Sequence, residues 1–328
     1  MPTNLPPEYY EAEQNYRAAK TIQEKITTLE ELISTIPKHK GTDKLRADFR
    51  RRLSKLKESS QAKKKVSRQS SAFYIDKEGA GQAILVGPTN VGKSALLTAL
   101  TNATPEVSEA PFTTWVPTPG MMPIENIQVQ LVDTPPLNPE FVEPLLFELI
   151  RRTDLILLVV DVQTNPVQQL EDSIAILEEH RIIPLHLKGQ HPEEGRLAFI
   201  PTLILANKTD DQEMDELFQI FCELTEGDWS SLPVSATHQR NFDQLKSAVF
   251  ERLNIIRIYS KAPGKEPDLE APFVMKKGST IEEFASKVHQ DFIENLKAAR
   301  VWGYGVFDGQ LVSRDHVLHD EDIVELRT

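Results

Sequence analysis

The sequence has a single cysteine and no long hydrophobic run, and both absences limit what the protein can be. Cys222 has no second cysteine with which to form a disulfide, as is usual in a reducing compartment. No stretch of about eighteen uncharged apolar residues is present, so a membrane-spanning helix is not expected. The acidic N-terminal segment lacks the apolar core of a signal peptide, and we expect a cytoplasmic location. The eight histidines are scattered without metal-ligand spacing.

Charge is distributed unevenly along the 328 residues. The net charge is −12, yet residues 37–68 contain 13 Lys or Arg and only 3 Asp or Glu. That segment therefore carries +10, and the remainder of the chain carries −22. Such asymmetry predicts that the basic segment contacts a polyanion such as RNA. A basic helix face that is merely solvated is the alternative.

Three regions follow from the hydrophobic pattern. Residues 1–70 are predicted to form a helical hairpin: one helix over 11–36, a second basic helix after Gly41, and a basic linker at 62–71. Residues 71–260 contain short apolar runs that alternate with helical segments, which predicts an α/β domain with a mostly parallel sheet and helices on both faces. Residues 184–200 are predicted to be an irregular insertion. Residues 261–328 are predicted to be a linker and a small β-grasp-like domain.

The segment GPTNVGKS at 87–94 fits the phosphate-binding pattern G-x-x-x-x-G-K-[ST] and lies between an apolar strand and a helix. Gly87 and Gly92 would let the backbone N–H groups surround phosphates. Lys93 would reach the β- and γ-phosphates, and the Ser94 hydroxyl would bind Mg²⁺. The chain is therefore predicted to bind a nucleoside triphosphate.

The segment NKTD at 207–210 follows an apolar strand, where a guanine-reading loop is expected. Asn207 would contact the N7 side of the base, and Lys208 would cover its face. Asp210 would accept hydrogen bonds from N1–H and the exocyclic amine of guanine, which adenine cannot supply. Ser235, Ala236 and Thr237 follow a further apolar run and would contact the guanine oxygen through the backbone. An ATPase is therefore the weaker alternative.

Two further features are predicted to act at the γ-phosphate. Asp133 ends the apolar run IQVQLVD and would hold Mg²⁺ through water. The segment PFTTWVP at 111–117 would cover the γ-phosphate, with Thr114 as the second Mg²⁺ ligand and Thr113 as the neighbouring candidate.

The segment GPTNVGKSALLTALTNATPEVSEAPFTTWVPTPG resembles the Obg-related, translation-factor-class GTPases, especially the developmentally regulated GTP-binding branch. The C-terminal residues 279–284, 301–303 and 316–322 are similar to that branch's TGS domain, and the basic helix is similar to its N-terminal helix. The resemblance implies a P-loop GTPase that hydrolyses GTP and associates with the ribosome or RNA through the basic helices and the TGS domain. It also implies that Asn90 coordinates K⁺, as its counterpart does in some relatives.

One departure from the family pattern concerns the second phosphate-sensing motif. The family's Asp-x-Pro-Gly is here Asp133-Thr134-Pro135-Pro136, and proline has no N–H to donate to a γ-phosphate. We therefore expect GTP binding with weak hydrolysis, and the alternative function is a guanine-nucleotide-bound scaffold or RNA-binding module that does not switch.

The predicted site residues fall into three sets. The catalytic set is Lys93, Thr114 and Asn90, and the metal set is Ser94, Thr114 and Asp133. The GTP-binding set is Gly87, Asn90, Val91, Gly92, Lys93, Ser94, Ala95, Thr113, Thr114, Asp133, Asn207, Lys208, Asp210, Ser235, Ala236 and Thr237.

Overall fold

The computed structural model describes residues 6–19, 21–37, 42–101, 116–138, 143–190, 196–225, 229–289 and 296–327; for residues 22, 23 and 58–72 it describes the backbone alone. The chain divides into two compact units, Met1–Tyr74 and Ile75–Thr328. None of the described helices has the length and apolar character that a bilayer crossing requires.

The N-terminal unit contains the helices α1 (Pro7–Ala18), α2 (Ile22–Thr35) and α3 (Asp43–Ala72). The prediction of one helix over 11–36 is wrong, because the backbone becomes extended at Ala19 and a new helix begins after Thr21. The Thr21 Oγ1 accepts a hydrogen bond from the Glu24 N–H, and Glu24 accepts one from the Thr21 N–H. This reciprocal pair is a capping box, which fixes a helix start.

The prediction of a basic linker at 62–71 is also wrong, because α3 continues to Ala72. Residues 58–72 contain neither Gly nor Pro, and Ala, Lys, Gln and Arg have high helix propensity. The apolar stripes of the three helices form one core, whose buried members are Tyr9, Ala12, Leu29, Leu32, Ile36 and Phe49.

A six-stranded sheet organises the first part of the second unit. Its strands are β1 (Gln82–Val86), β2 (Thr118–Ile124), β3 (Ile127–Asp133), β4 (Leu155–Asp161), β7 (Thr202–Asn207) and β8 (Ser231–Pro233), in the order β2-β3-β1-β4-β7-β8. Only the β2–β3 pair is antiparallel. The helices are α4 (Lys93–Leu100), α5 (Pro144–Arg152), α6 (Pro166–Glu179), α7 (Gln212–Leu224) and α8 (Phe242–Leu253).

Burial on both faces explains the apolar strands. Alternate strand residues such as Leu85 and Leu157 belong to a core that includes Leu97 of α4 and Leu245 of α8. Neighbouring strand residues, such as Ile84, are equally inaccessible from the opposite face. This arrangement is typical of a parallel sheet between two helix layers, and it confirms the predicted α/β fold.

The predicted irregular insertion contains regular structure at both ends. Strands β5 (Ile182–Pro184) and β6 (Ala198–Ile200) form a two-stranded parallel sheet, and a 3₁₀ helix covers Leu185–Gln190. Residues 191–195 lie outside the described residues.

The C-terminal part of the second unit has its own five-stranded sheet. It comprises β9 (Ile255–Ser260), β10 (Phe273–Lys276), β11 (Ala298–Trp302), β12 (Gln310–Val312) and β13 (Asp322–Arg327), in the order β10-β9-β13-β11-β12, with α9 at Ile281–Val288. The predicted boundary at residue 261 is wrong by one strand. Strand β9 pairs antiparallel with β10 and parallel with β13, so it belongs to this sheet and not to the preceding domain.

Candidate functional site

The predicted phosphate loop and base-reading loop meet at the carboxyl edge of the main sheet. The loop at 87–92 follows β1, Asp133 ends β3, and Asn207 ends β7. Because these strands are parallel, their carboxyl ends lie at the same edge. Ligands in open α/β sheets bind at this edge.

Two glycines of the loop have backbone positions that exclude a side chain. Gly87 has φ 145°, and a Cβ built there would lie 2.3 Å from the Val159 carbonyl oxygen. Gly92 has φ 95°, and its Cβ would lie 2.2 Å from Asn207 Nδ2. The glycine pattern is therefore required by close packing of the loop against β4 and β7 as well as by its turn conformation.

Lys93 opens α4 and is 7% exposed. Its Nζ donates hydrogen bonds to the carbonyl oxygens of Gly87, at 2.9 Å, and Pro88, at 2.8 Å. Burial lowers the pKa of Lys93 to about 8, although the nearby Asp133 carboxylate favours the charged form. The ammonium is held inside the loop with little negative charge nearby to compensate for its burial. Phosphate oxygens would supply that negative charge.

Ser94 and Asp133 present oxygen atoms beside Lys93. The Ser94 Oγ donates a hydrogen bond to Asp133 Oδ2 at 2.5 Å. Burial raises the pKa of Asp133, while the Ser94 hydrogen bond and the Lys93 charge oppose that rise. The second carboxylate oxygen, Oδ1, is buried without a hydrogen-bond partner among the described residues. A hydroxyl and an unsatisfied carboxylate are suitable partners for Mg²⁺ and its water ligands, so these residues fit the metal that GTPases generally use.

Asn207 connects the two loops directly. This side chain is 2% exposed; its Nδ2 donates to the Val91 carbonyl oxygen at 2.8 Å, and its Oδ1 accepts from the Ala236 N–H at 3.2 Å. The phosphate loop, the NKTD segment and the 235–237 segment are thus held together by one amide. Its position makes the geometry of the phosphate loop and the base-reading loop interdependent.

The two charged members of NKTD are each held by a side chain from another strand end or loop. Asp210 Oδ1 accepts a hydrogen bond from the Ser235 Oγ at 2.5 Å, and His238 Nδ1 lies 3.3 Å from the same oxygen. Lys208 Nζ donates to Asp161 Oδ2 at 2.5 Å. These contacts orient a carboxylate acceptor and an aliphatic stem before any base is present.

The segment after Asp133 is fixed to the phosphate loop. The Thr134 Oγ1 donates to the Leu85 carbonyl oxygen at 2.7 Å. The Leu137 N–H, the first after two prolines, donates to the Gly87 carbonyl oxygen at 3.0 Å, and the Leu137 side chain is buried. No N–H between Thr134 and Leu137 is available for a γ-phosphate, because both intervening residues are proline.

The structure thus brings most predicted site residues to one edge. Val91 contributes its carbonyl oxygen while its side chain lies in the core, and Asn90, Ala95 and Thr237 are exposed at the surface. Thr113 and Thr114 lie outside the described residues, so their predicted role is untested. The remaining GTP-binding residues lie on the strand ends and loops described above. Two contacts differ from expectation: the Ser235 hydroxyl bonds to Asp210, and the Ala236 N–H bonds to Asn207.

Two contributors were missed by sequence reasoning. Asp161 ends the apolar run LILLVVD, the same pattern by which Asp133 was recognised, and could have been identified from it. The bond from the Leu137 N–H has no sequence signal, because a backbone donor is present at every residue except proline.

The family models match two separate parts of the chain. The model of the 50S ribosome-binding GTPases matches residues 82–188, and the TGS domain model matches residues 256–328. The second match begins within β9, in agreement with the pairing of that strand.

Relatives cover most of the chain. A GTP-binding protein of Methanocaldococcus jannaschii is 30% identical and aligns over 93% of this chain and 92% of its own length. A GTP-binding protein of Halobacterium salinarum is 27% identical, over 93% and 98%. Developmentally-regulated GTP-binding protein 1 of Xenopus laevis is 28% identical, over 77% and 84%. With both domains matched, the chain belongs to the Obg-related GTPases of the developmentally regulated GTP-binding type, which carry a C-terminal TGS domain.

Proposed function

We propose that this GTPase acts in the cytoplasm on the ribosome or on another RNA assembly, with α3 as its RNA contact. The observation that carries the proposal is the basic surface of that helix. Lys44, Arg50, Arg51 and Lys55 are exposed, and none of them is ion-paired with an acidic residue in the described part of the chain. An unpaired basic surface on a protein of net charge −12 is favourable for phosphate backbones. The family description, 50S ribosome-binding GTPase, supports the same partner.

At the nucleotide site we propose specific roles for the assembled residues. Lys93 binds the β- and γ-phosphates, and Asp210 reads guanine from the position set by Ser235. Ser94, Thr114 and Asp133 hold Mg²⁺, which when bound neutralises charge on the transferring phosphoryl group. Asn90, exposed at the loop, coordinates K⁺ in the same proposal.

Ribosome binding is tested by co-sedimentation across a salt series. The double variant Arg50→Glu/Arg51→Glu should lose most binding, and wild-type affinity should fall steeply with salt because counterions are released from the RNA. The matched control Lys265→Glu/Lys277→Glu makes the same charge change at exposed lysines of the C-terminal part and should bind normally. The role of α3 would be refuted if both double variants lost ribosome binding equally, or if wild-type affinity did not change with salt concentration.

A second candidate function is a guanine-nucleotide-bound scaffold that does not switch. The observation in its favour is the fixed segment after Asp133, whose Leu137 N–H is already bonded to Gly87. Single-turnover hydrolysis distinguishes the candidates: a rate equal to that of Lys93→Ala, with nucleotide still retained by the wild type, supports the scaffold. A rate that is higher in K⁺ than in Na⁺ supports the GTPase with an Asn90 ion site.

A further inference from the structure

Helices α6 and α7 present a mainly acidic surface, in which Asp215 is already paired with Arg240. The segments Pro166–Glu179 and Gln212–Leu224 together contain eight Asp or Glu and no Lys or Arg. Most of these carboxylates lie on the exposed faces of the helices. A surface of this kind attracts cationic groups and repels nucleic acid and anionic lipid.

Apolar side chains are exposed in the middle of these carboxylates. Leu217, Ile220 and Leu224 are 37%, 50% and 64% exposed and lie on one face of α7, since they are three and four residues apart. The same helix already contributes Phe221, which is 1% exposed, to the domain interior. The three exposed residues are therefore not required for the packing of α7 on the sheet.

A groove lies beside this exposed face. It has a volume of about 370 Å³ and is lined by Val167, Leu170 and Ile174 of α6 together with Leu224 and Trp229. Glu171 and Glu178 also line it, so the groove has both apolar and acidic walls. Contiguous exposed apolar surface bordered by charged residues is typical of a protein-binding site.

We propose that this face binds an amphipathic helix of a partner protein, with apolar residues in the groove and Lys or Arg on both flanks. Apolar side chains at intervals of three and four residues would cover Leu217, Ile220 and Leu224, as in other helix-in-groove complexes. The long stems of Lys and Arg extend over apolar surface while their charged ends reach the carboxylates of α6 and α7. Charge complementarity therefore selects a cationic helix over RNA or a membrane.

The apolar stripe in the described part of the chain's own basic helix is already used elsewhere. In α3 the apolar residues Leu45, Phe49 and Leu53 pack within the N-terminal core formed with α1 and α2. A helix whose apolar stripe is already buried has none to place in a second groove. The occupant that we propose is therefore a helix of a separate protein.

The test uses a synthetic amphipathic helical peptide with Leu on one face and Lys on the other, titrated into the full-length protein by calorimetry. We expect saturable binding of one peptide per chain. The double variant Ile220→Ser/Leu224→Ser should weaken it by about tenfold or more, because two anchors at the centre of the surface are removed. Both positions are at least half exposed, so the variant should fold.

Three controls separate apolar docking from general charge attraction. A scrambled peptide of the same composition, whose Leu residues share no face, should bind at least about tenfold more weakly. A peptide with Glu in place of Lys should not bind. The variant Leu269→Ser/Leu311→Ser, which changes two exposed leucines elsewhere, should bind like the wild type.

Several results would overturn the proposal. The proposal is wrong if the peptide shows no saturable binding, if the scrambled peptide binds as tightly as the amphipathic one, or if Ile220→Ser/Leu224→Ser binds the peptide like the wild type. Binding of RNA oligonucleotides or anionic vesicles that this variant abolishes would assign the face to a different partner. Self-association of the wild type that the variant abolishes would assign it to a second copy.

Discussion

Replacement of Gly92 by alanine tests the link between the phosphate loop and the base-reading loop. A Cβ at this position would lie 2.2 Å from Asn207 Nδ2, which is far inside van der Waals contact. The neighbouring atom belongs to a buried side chain, and it cannot move without breaking its bonds to Val91 and Ala236. We expect the substitution to displace Asn207 and to separate the two loops.

The magnitude follows from two contributions. An alanine at φ 95° has a strained backbone, which costs about 1–2 kcal/mol. Loss of the two Asn207 hydrogen bonds costs about 1 kcal/mol each, and more where their partners stay buried without replacement. The free energy of unfolding should therefore fall by about 3–5 kcal/mol, and guanine nucleotide should bind at least about tenfold more weakly.

The measurement is urea unfolding of nucleotide-free protein with two comparisons. Gly278→Ala is the matched control, because Gly278 has φ 91° and no atom within 4 Å of its Cβ, so only the backbone cost of about 1–2 kcal/mol should appear. In the background of Asn207→Ala the colliding amide is gone. There Gly92→Ala should also cost only the backbone strain, which leaves a coupling energy of about 2 kcal/mol.

The reasoning would be refuted if Gly92→Ala and Gly278→Ala destabilised the protein equally. It would also be refuted if Gly92→Ala had the same effect with and without the Asn207 side chain. Either result would mean that the collision with the amide is relieved at no cost.

Three further predictions concern charged groups. Burial lowers the pKa of Lys93 to about 8, and phosphate favours its charged form, so nucleotide binding above that pH should take up a proton. Nucleotide affinity should then fall about tenfold per pH unit. Calorimetry in two buffers at about pH 8.5 that detects no proton uptake would contradict this. Asp133→Asn should lower the Mg²⁺-dependent part of nucleotide affinity by about tenfold or more and leave binding in EDTA nearly unchanged, as measured by fluorescent-nucleotide titration. Arg257 is buried and pairs with Glu125 in the β2–β3 turn and with Asp320. Arg257→Met should therefore lower the free energy of unfolding in urea by about 1–3 kcal/mol and accelerate hydrogen exchange in that turn. Unchanged exchange would argue against the contact.

The local motifs were predictable because each is contained in a few consecutive residues. The loop at 87–94 and the segment 207–210 were recognised by residue type and by the apolar strand before them, and the structure places both at strand ends. The near-continuous apolar strands indicated the parallel sheet for the same reason, since burial on both faces leaves no polar alternation. The break between α1 and α2 was not predicted, although Thr21 and Glu24 have the spacing of a capping box.

The C-terminal boundary was not readable from local pattern. Strand β9 is an apolar run directly after α8, and nothing within it says which sheet it joins. Its partners are β10 and β13, and the latter lies more than sixty positions further along the chain, from Ile258 to Asp322. Strand pairing over such separation is decided by how complete sheets pack.

The sequence by itself determined which residue types are present to hold a guanine nucleotide. The tertiary structure decided how they depend on one another: Asn207 bonds to Val91 across 116 positions, and Lys208 bonds to Asp161 across 47. It also decided that the Leu137 N–H is bonded to Gly87. Hydrogen bonds require atoms to lie within about 3 Å of each other, and only the folded sheet, which gathers its strand ends at one edge, brings these distant residues that close.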